Sequence, residues 1–174
     1  MKRLIIGVVV IGLILVAMVF LLSVSINKVK YDGAPLNIAV IGNIPELKNE
    51  KIHFESLSLE KVNEDISKLP TNLDAIMLTP NVFEAASDDK YIEVYKGLEL
   101  PIIFFDSNKR HYPFVNEGLT YETANFDVLD NGSHTTIYLH NINANKFETW
   151  YFYLNDKKDI NALYTEVFEK IEEL

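Results

Sequence analysis

The feature that most constrains this chain is an apolar run near its amino terminus, residues 4–22, which reads LIIGVVVIGLILVAMVFLL and contains no charge. About 20 consecutive apolar residues suffice for a helix to cross a bilayer. A cleaved signal peptide usually has a shorter apolar region, of about 7–15 residues. We therefore expect residues 1–25 to form a transmembrane signal-anchor held in the membrane by residues 4–22. The small residues Ser23, Val24 and Ser25 leave open the alternative of cleavage and secretion.

Cationic residues that flank the apolar run indicate its orientation, because Lys and Arg tend to remain on the cytoplasmic side. Lys2 and Arg3 precede the run. Lys28 and Lys30 follow it, and the negative charge of Asp32 partly offsets theirs. We expect a single-pass protein of the cell membrane, with its amino terminus inside and its main domain on the extracytoplasmic side.

The rest of the chain is strongly acidic. All 25 acidic residues follow the apolar run, so leaving out Lys2 and Arg3 changes the net charge from −9 to −11. Such a domain repels phosphate backbones, which excludes nucleic acid as a partner of its surface. A basic protein and metal ions remain compatible with this charge.

Composition divides the chain into three parts. Residues 26–35, INKVKYDGAP, are polar and end in Gly and Pro, which is typical of a short tether. Residues 36–174 have the length of one compact domain and contain no internal repeat.

The first half of this domain alternates apolar strand patterns with helical patterns, which predicts a largely parallel sheet. The predicted helices begin at Ser58 and at Asn81, whose spacing to Glu84 matches a capping box, and the second is interrupted at Asp88 and Asp89. The predicted strands are LNIAVIG (36–42), IHFESLSL (52–59, an outer strand), LDAIMLTP (73–80) and PIIFF (101–105).

The second half predicts an antiparallel meander. Asn131 and Gly132 lie between NFDVL (125–129) and HTTIYLH (134–140), and this dipeptide between strand patterns favours a hairpin. FETWYFYL (147–154) supplies a further strand. Asp159 then precedes an amphipathic helix that ends the chain. The expected fold is one three-layer α/β domain with a mixed sheet, parallel first and antiparallel afterwards.

Two segments, DAIMLTPN (74–81) and LPIIFFDSN (100–108), resemble strands of the amino-terminal lobe of type I periplasmic-binding-protein-like domains. NIAVIGNIPEL and DAIMLTPNVFE are also similar to the first and third strands of receiver domains of two-component signalling. Gly42 and Asn43 stand where receivers carry an acidic pair, and Thr79 stands where they carry the phosphorylated aspartate. The second resemblance therefore implies a degenerate receiver-like domain that cannot accept a phosphoryl group, and both imply an α/β fold.

Ligands of open α/β sheets bind outside the carboxyl ends of the strands. Polar residues follow three of the predicted strands, and we expect them to bracket a small polar ligand: Asn43, Thr79, Asn81, Asp106 and Ser107. The alternative is that the Asx residues cap helices or bend loops.

We expect no catalytic residues, no cofactor and no metal site. Asp106, Ser107 and His111 are the residue types of a nucleophilic triad, but no G-x-S-x-G motif surrounds Ser107 and no glycine-rich phosphate loop follows the first strand. His134 and His140 are too far apart along a strand, roughly 20 Å, to share an ion. A small hydrolase is the weakest of the alternatives.

The aromatic strand TWYFYL (149–154) places Trp150 and Phe152 on one face and Tyr151 and Tyr153 on the other. Together with Tyr138, these tyrosines are the predicted contact surface, because Tyr is favoured at protein interfaces. The alternative is that the fold covers both faces of the strand. The sequence thus predicts a non-enzymatic, membrane-anchored domain that binds a cell-envelope or membrane protein. A small-ligand sensor is the alternative.

Overall fold

The architecture is a mixed α/β sheet of six strands, seen in a computed structural model that describes residues 30–47, 49–64, 69–144, 146–155 and 159–174. The strands are β1 (Leu36–Ile41), β2 (Ile52–Leu57), β3 (Ala75–Leu78), β4 (Ile102–Phe104), β5 (Thr135–Asn141) and β6 (Lys146–Phe152). Their order in the sheet is β2-β1-β3-β4-β5-β6. The predicted fold class, α/β with a mixed sheet, is confirmed.

Strands β2, β1, β3 and β4 pair in parallel, whereas β5 and β6 join them in antiparallel pairs. The inner parallel strands β1, β3 and β4 are short and almost wholly apolar because both of their faces are covered. The two edges of the sheet are β2, as the sequence predicted for an outer strand, and β6.

Six α-helices of the described residues connect or cover the strands. They are α1 (Leu59–Glu64), α2 (Phe83–Ala86), α3 (Ile92–Gly97), α4 (Tyr112–Val115), α5 (Phe126–Leu129) and α6 (Ile160–Glu173). The Ser58 hydroxyl accepts from the Lys61 amide at 3.3 Å, which is the predicted cap of α1. The predicted interruption at Asp88 and Asp89 is also present, because the Asp88 carboxylate caps a new 3-10 turn by accepting from the Lys90 amide.

Alternate residues of each strand face opposite sides of the sheet, and each side has its own buried cluster. We call the side packed by α1 to α4 the front face; its sheet residues are Ala39, Ile41, Ile76, Leu78, Ile102, Phe104 and Tyr138. We call the side packed by α6 the back face; its sheet residues are Leu36, Ile38, Val40, Ile52, Ala75, Met77, Ile103 and Ile137.

Helix α6 matches its predicted apolar stripe. The Asp159 carboxylate accepts from the Asn161 amide at 2.8 Å and caps the helix as expected. The buried positions recur at helical spacing on the side that meets the sheet: Leu163, Tyr164, Val167, Phe168 and Ile171.

The predicted strand at 125–129 is wrong. Phe126–Leu129 is the short helix α5, closed by a hydrogen bond from the Asp130 amide to the Phe126 carbonyl at 2.8 Å. Asn131 and Gly132 therefore do not join two strands. Their segment turns because the Asp130 and Asn131 side chains accept from the amides two residues further on, Gly132 and Ser133. The antiparallel part of the sheet is limited to β5 and β6.

The chain is attached to the domain from Tyr31 onward. Tyr31 is buried, and its hydroxyl donates to the Ala34 carbonyl at 2.7 Å and lies 3.1 Å from the Glu172 carboxylate of α6. Lys51 Nζ donates to the carbonyls of Asp32 and Gly33. Within the predicted tether, the residues after Lys30 are thus held by Glu172 of α6 and by Lys51.

Within the described parts of the chain, no helix is both long enough and apolar enough to cross a membrane. The predicted membrane span, residues 4–22, lies outside the described residues.

Candidate functional site

The predicted residues at the ends of β1 and β3 do lie together. Thr79 Oγ1 is 3.0 Å from Asn81 Oδ1 and 3.3 Å from the Ile41 carbonyl, and the Asn43 amide donates to the same Asn81 oxygen at 2.9 Å. Gly42 has a φ of 107° here, and a Cβ on it would come within 2.2 Å of Thr79 Oγ1. These polar groups satisfy one another across the strand ends.

The predicted capping box at Asn81 is wrong. Asn81 lies inside a 3-10 turn, Pro80–Val82, whose N-cap is Thr79 and makes no side-chain cap bond. The Asn81 side chain is instead occupied by Asn43 and Thr79. The Glu84 carboxylate accepts from the amide of Glu122, far along the chain.

Asp106 and Ser107 attach the loop after β4 to the start of β5. Asp106 adopts a φ of 53°, and its carboxylate lies 3.5 Å from His134 Nε2. The Ser107 amide donates to the His134 carbonyl at 2.9 Å. Burial lowers the pKa of His134, an effect that the Asp106 carboxylate opposes.

The triad residue types do not form a catalytic arrangement. In the described residues, the Ser107 hydroxyl donates to the Arg110 carbonyl at 2.8 Å, and no hydrogen bond joins it to His111. The His111 ring stacks instead on Tyr112 and Tyr138, with centroids 4.5 and 5.6 Å away. A nucleophile needs a base within hydrogen-bond reach. Among the described residues, no three His, Asp or Glu side chains are grouped to hold a metal ion.

His111 and two of the predicted contact tyrosines belong to a different site. A cavity of about 310 Å³ lies where α3 and α4 pack against β5 and β6 on the front face. We call it the tyrosine pocket; its lining residues are Lys96, His111, Tyr112, Val115, Asn116, Tyr138, Phe147, Thr149 and Tyr151. Its volume is at the lower end of the range of small-molecule sites.

One wall of the tyrosine pocket is the edge strand β6. Phe147, Thr149 and Tyr151 are alternate residues of this strand and so project from the same face. Phe147 is 62 % exposed and stacks on Tyr138 with the ring centroids 6.0 Å apart. Tyr138 itself is only 3 % exposed and forms the floor of the pocket rather than an outward surface.

The remaining aromatic residues of this strand lie elsewhere. Trp150 and Phe152 pack on the back face, against the cluster that contains α6. Tyr153 follows the end of β6 and is 45 % exposed, with its hydroxyl 3.4 Å from Asn131 Nδ2. Of the three predicted contact tyrosines, Tyr138 and Tyr151 thus share the pocket and Tyr153 lies beyond it.

Arg110 adds a positive charge behind the pocket. Its guanidinium carbon lies 4.5 Å from the ring centroid of Tyr112 and 5.8 Å from that of Tyr151. Burial lowers the pKa of His111 to about 4, and the neighbouring Arg110 charge contributes in the same direction. His111 is therefore neutral at physiological pH, and Arg110 supplies the charge.

Unpaired polar atoms are concentrated around this pocket. Three buried side-chain atoms lack a hydrogen-bond partner in the described part of the chain: Arg110 Nε, His111 Nδ1 and Thr136 Oγ1. Thr136 is the cross-strand partner of Tyr151, so its side chain lies on the same face. Of these three residues, His111 lines the pocket, whereas Arg110 lies over the rings of the lining residues Tyr112 and Tyr151. Buried polar groups are normally paired, so these unpaired atoms make the region a candidate binding site.

The sequence indicated only part of this pocket. Tyr138 and Tyr151 were found because they were assigned to neighbouring strands. Phe147 and Thr149 alternate with Tyr151 along β6, and this spacing is the signal that could have placed them on the same face. Lys96, Arg110 and Tyr112 have no sequence pattern that connects them to β6.

No family model matches the sequence, and no curated protein or solved structure matches it either.

Proposed function

We propose that this chain is a membrane-anchored, non-enzymatic domain that binds a partner protein by strand addition at β6. The observation that carries the proposal is that alternate residues of an edge strand line the tyrosine pocket. In strand addition, backbone hydrogen bonds to the edge supply affinity, and pockets for alternate side chains supply specificity. A strand added beside β6 would direct every second side chain over Phe147, Thr149 and Tyr151.

The composition of β6 supports its use as a binding edge. Natural proteins usually protect edge strands with charges, proline or bulges. β6 carries Lys146 and Glu148 near its start, but its second half, from Thr149 to Phe152, has no charge and no proline. At the opposite edge of the sheet, the lining of the cavity beside β2 includes three charged residues, Glu55, Lys61 and Glu64. β6 is therefore the edge better suited to an apolar partner strand.

The membrane segment determines which partners can reach this edge. We propose that residues 4–22 span the cell membrane and that the domain lies on the extracytoplasmic side, supported by the uncharged run and the preceding Lys2 and Arg3. Residues 23–30 extend at most roughly 28 Å. Since Tyr31 and Glu172 fix the chain from there onward, the domain stays close to the bilayer. The partner is then a membrane or cell-envelope protein, held at high effective concentration.

Copurification from solubilised membranes tests this function. A partner should copurify with the full-length protein and with Asp106→Ala, which alters the strand ends, but not with Tyr151→Ala, which opens the tyrosine pocket. A partner or small ligand retained by Tyr151→Ala and lost with Asp106→Ala would overturn the proposal in favour of the strand-end ligand site. Circular dichroism of each variant confirms that the fold is retained.

A further inference from the structure

We infer that the partner segment carries an acidic side chain, Asp or Glu, which enters the tyrosine pocket and pairs with Arg110. This inference rests on the proposed strand addition and specifies the chemistry of the residue that the pocket selects. It follows from the charge of the pocket, from the unpaired state of Arg110 and from the polar atoms around it.

The tyrosine pocket differs in charge from two other cavities of the domain. Its lining includes Lys96 and contains no Asp or Glu. A cavity of about 380 Å³ is lined by Glu84, Asp88 and Asp89, and one of about 440 Å³ is lined by Glu55 and Glu64 with one lysine. In a chain with a net charge of −9, a cavity free of carboxylates is locally favourable for an anion.

Arg110 is a cation without a carboxylate. Its guanidinium lies over the rings of Tyr112 and Tyr151, makes no ion pair with a carboxylate among the described residues, and has a buried, unpaired Nε. Several lysines, in contrast, each lie within 4.0 Å of an acidic side chain: Lys30, Lys51, Lys90, Lys96 and Lys170. The planar fork of arginine fits a carboxylate with two parallel hydrogen bonds. An acidic side chain would therefore supply the carboxylate that Arg110 lacks.

The neighbouring unpaired atoms suit the same ligand. His111 lines the pocket, and its neutral ring can donate from the unpaired Nδ1 to a carboxylate oxygen in one of its tautomers. A purely apolar side chain in the pocket would leave this group and Arg110 Nε unpaired, which is costly. A basic side chain would be repelled by Arg110. An acidic side chain can pair with these polar groups while its aliphatic part packs against Phe147 and Tyr151.

A selection from a displayed library of extended peptides against the full-length protein in nanodiscs tests the inference. The matched variants are Arg110→Gln, which removes the charge, Arg110→Lys, which keeps the charge without the fork, and Lys109→Gln, which removes the same charge one residue away. Arg110 has a φ of 58°, and none of these residue types relieves or adds to that backbone cost. Fluorescence of Trp150, the single tryptophan, monitors the fold of each variant.

We expect Asp or Glu to be enriched at one peptide position with the wild type and with Lys109→Gln. Arg110→Gln should abolish the enrichment, and Arg110→Lys should restore part of it. Enrichment without an acidic preference, or an acidic preference unchanged by Arg110→Gln, would overturn the inference while strand addition stands. Peptide binding equal in the wild type and Tyr151→Ala would overturn the proposed function. A dimer of the full-length protein in detergent that Tyr151→Ala abolishes would assign β6 to a second copy and overturn both.

Discussion

Arg110 lies over the ring of Tyr151, with its guanidinium carbon 5.8 Å from the ring centroid. The contact connects the loop after β4 with the far edge strand β6. The polar segment after β4 has two parts. Asp106 and Ser107 contact His134 at the start of β5. His111 lines the tyrosine pocket, and Arg110 lies against two of its lining rings. One continuous stretch of sequence thus contributes to two separate regions of the surface.

Protonation of His111 should make the protein less stable in acid. Its pKa is 6.5 in the unfolded chain and about 4 in the folded protein, so only the unfolded state gains a proton as the pH falls between these values. The free energy of unfolding should fall by at most about 3 kcal/mol from this group between pH 7 and pH 4. Urea denaturation at both pH values measures the loss.

His111→Gln is the control, because it removes the titrating ring while other groups still titrate. Its loss of stability between pH 7 and pH 4 should be smaller than that of the wild type. An equal loss in both proteins would show that His111 is already accessible to protons in the folded state.

Gly42→Ala should destabilise the domain. Gly42 has a φ of 107°, and an added Cβ would come within 2.2 Å of Thr79 Oγ1 and 2.6 Å of Asn81 Oδ1. Gly118→Ala is a matched control, because Gly118 also has a positive φ, 71°, but has no atom within 4 Å of the added Cβ. The unfolding free energy of Gly42→Ala should be lower than that of Gly118→Ala by about 1–3 kcal/mol, the range typical of overpacking. Equal losses of unfolding free energy in the two variants would mean that Thr79 and Asn81 move away from the added Cβ without a loss of stability.

Asn81→Ala should be more destabilising than Asn43→Ala. The Asn81 side chain accepts from the Asn43 amide and contacts the Thr79 hydroxyl, whereas the Asn43 residue takes part through its backbone, which alanine retains. Loss of this acceptor should lower the midpoint of thermal unfolding, by an amount equivalent to about 1–2 kcal/mol. If Asn43→Ala has the larger effect, the hydrogen-bond network at the strand ends is not as described.

Tyr31→Phe should loosen the attachment of the chain to α6. The substitution removes the hydrogen bond to the Ala34 carbonyl and the contact with Glu172 but keeps the ring, which packs edge-on against Phe168. We expect a loss of about 1 kcal/mol in unfolding free energy. Tyr153→Phe, at an exposed position, should leave the stability within about 0.5 kcal/mol of the wild type. Equal changes of stability in Tyr31→Phe and Tyr153→Phe would contradict the attachment of Tyr31 to Ala34 and Glu172.

The sequence predicted the elements whose pattern is long or clearly bounded. The buried parallel strands β1 and β3 and the stripe of α6 follow from apolar periodicity alone. The segment 125–129 has only four or five residues to establish a period, and the side chains of Asp130 and Asn131 determined its turn instead. Local patterns of this length do not distinguish a strand from a single helical turn.

The site was predictable only where it lies on strands. Strand alternation alone predicts that Tyr138 and Tyr151 lie on one face of neighbouring strands, and the register of β5 and β6 places them close together. Arg110, His111 and Tyr112 reach the same pocket through a loop whose course depends on the left-handed conformations of Asp106 and Arg110. Gly, Asn and Asp are the residues that commonly indicate that conformation, so arginine at this position gives no indication.

Site-specific photo-crosslinking in intact cells tests the central claim, that β6 is the edge that binds the partner, most directly. A photoreactive phenylalanine analogue replaces Phe147 on β6 or, as a control, the exposed residue His53 on the opposite edge strand β2. We expect an adduct with a second membrane or envelope protein from position 147, none from position 53, and a loss of the adduct when Tyr151→Ala is added. Equal adducts from both positions, or no adduct from position 147, would contradict it.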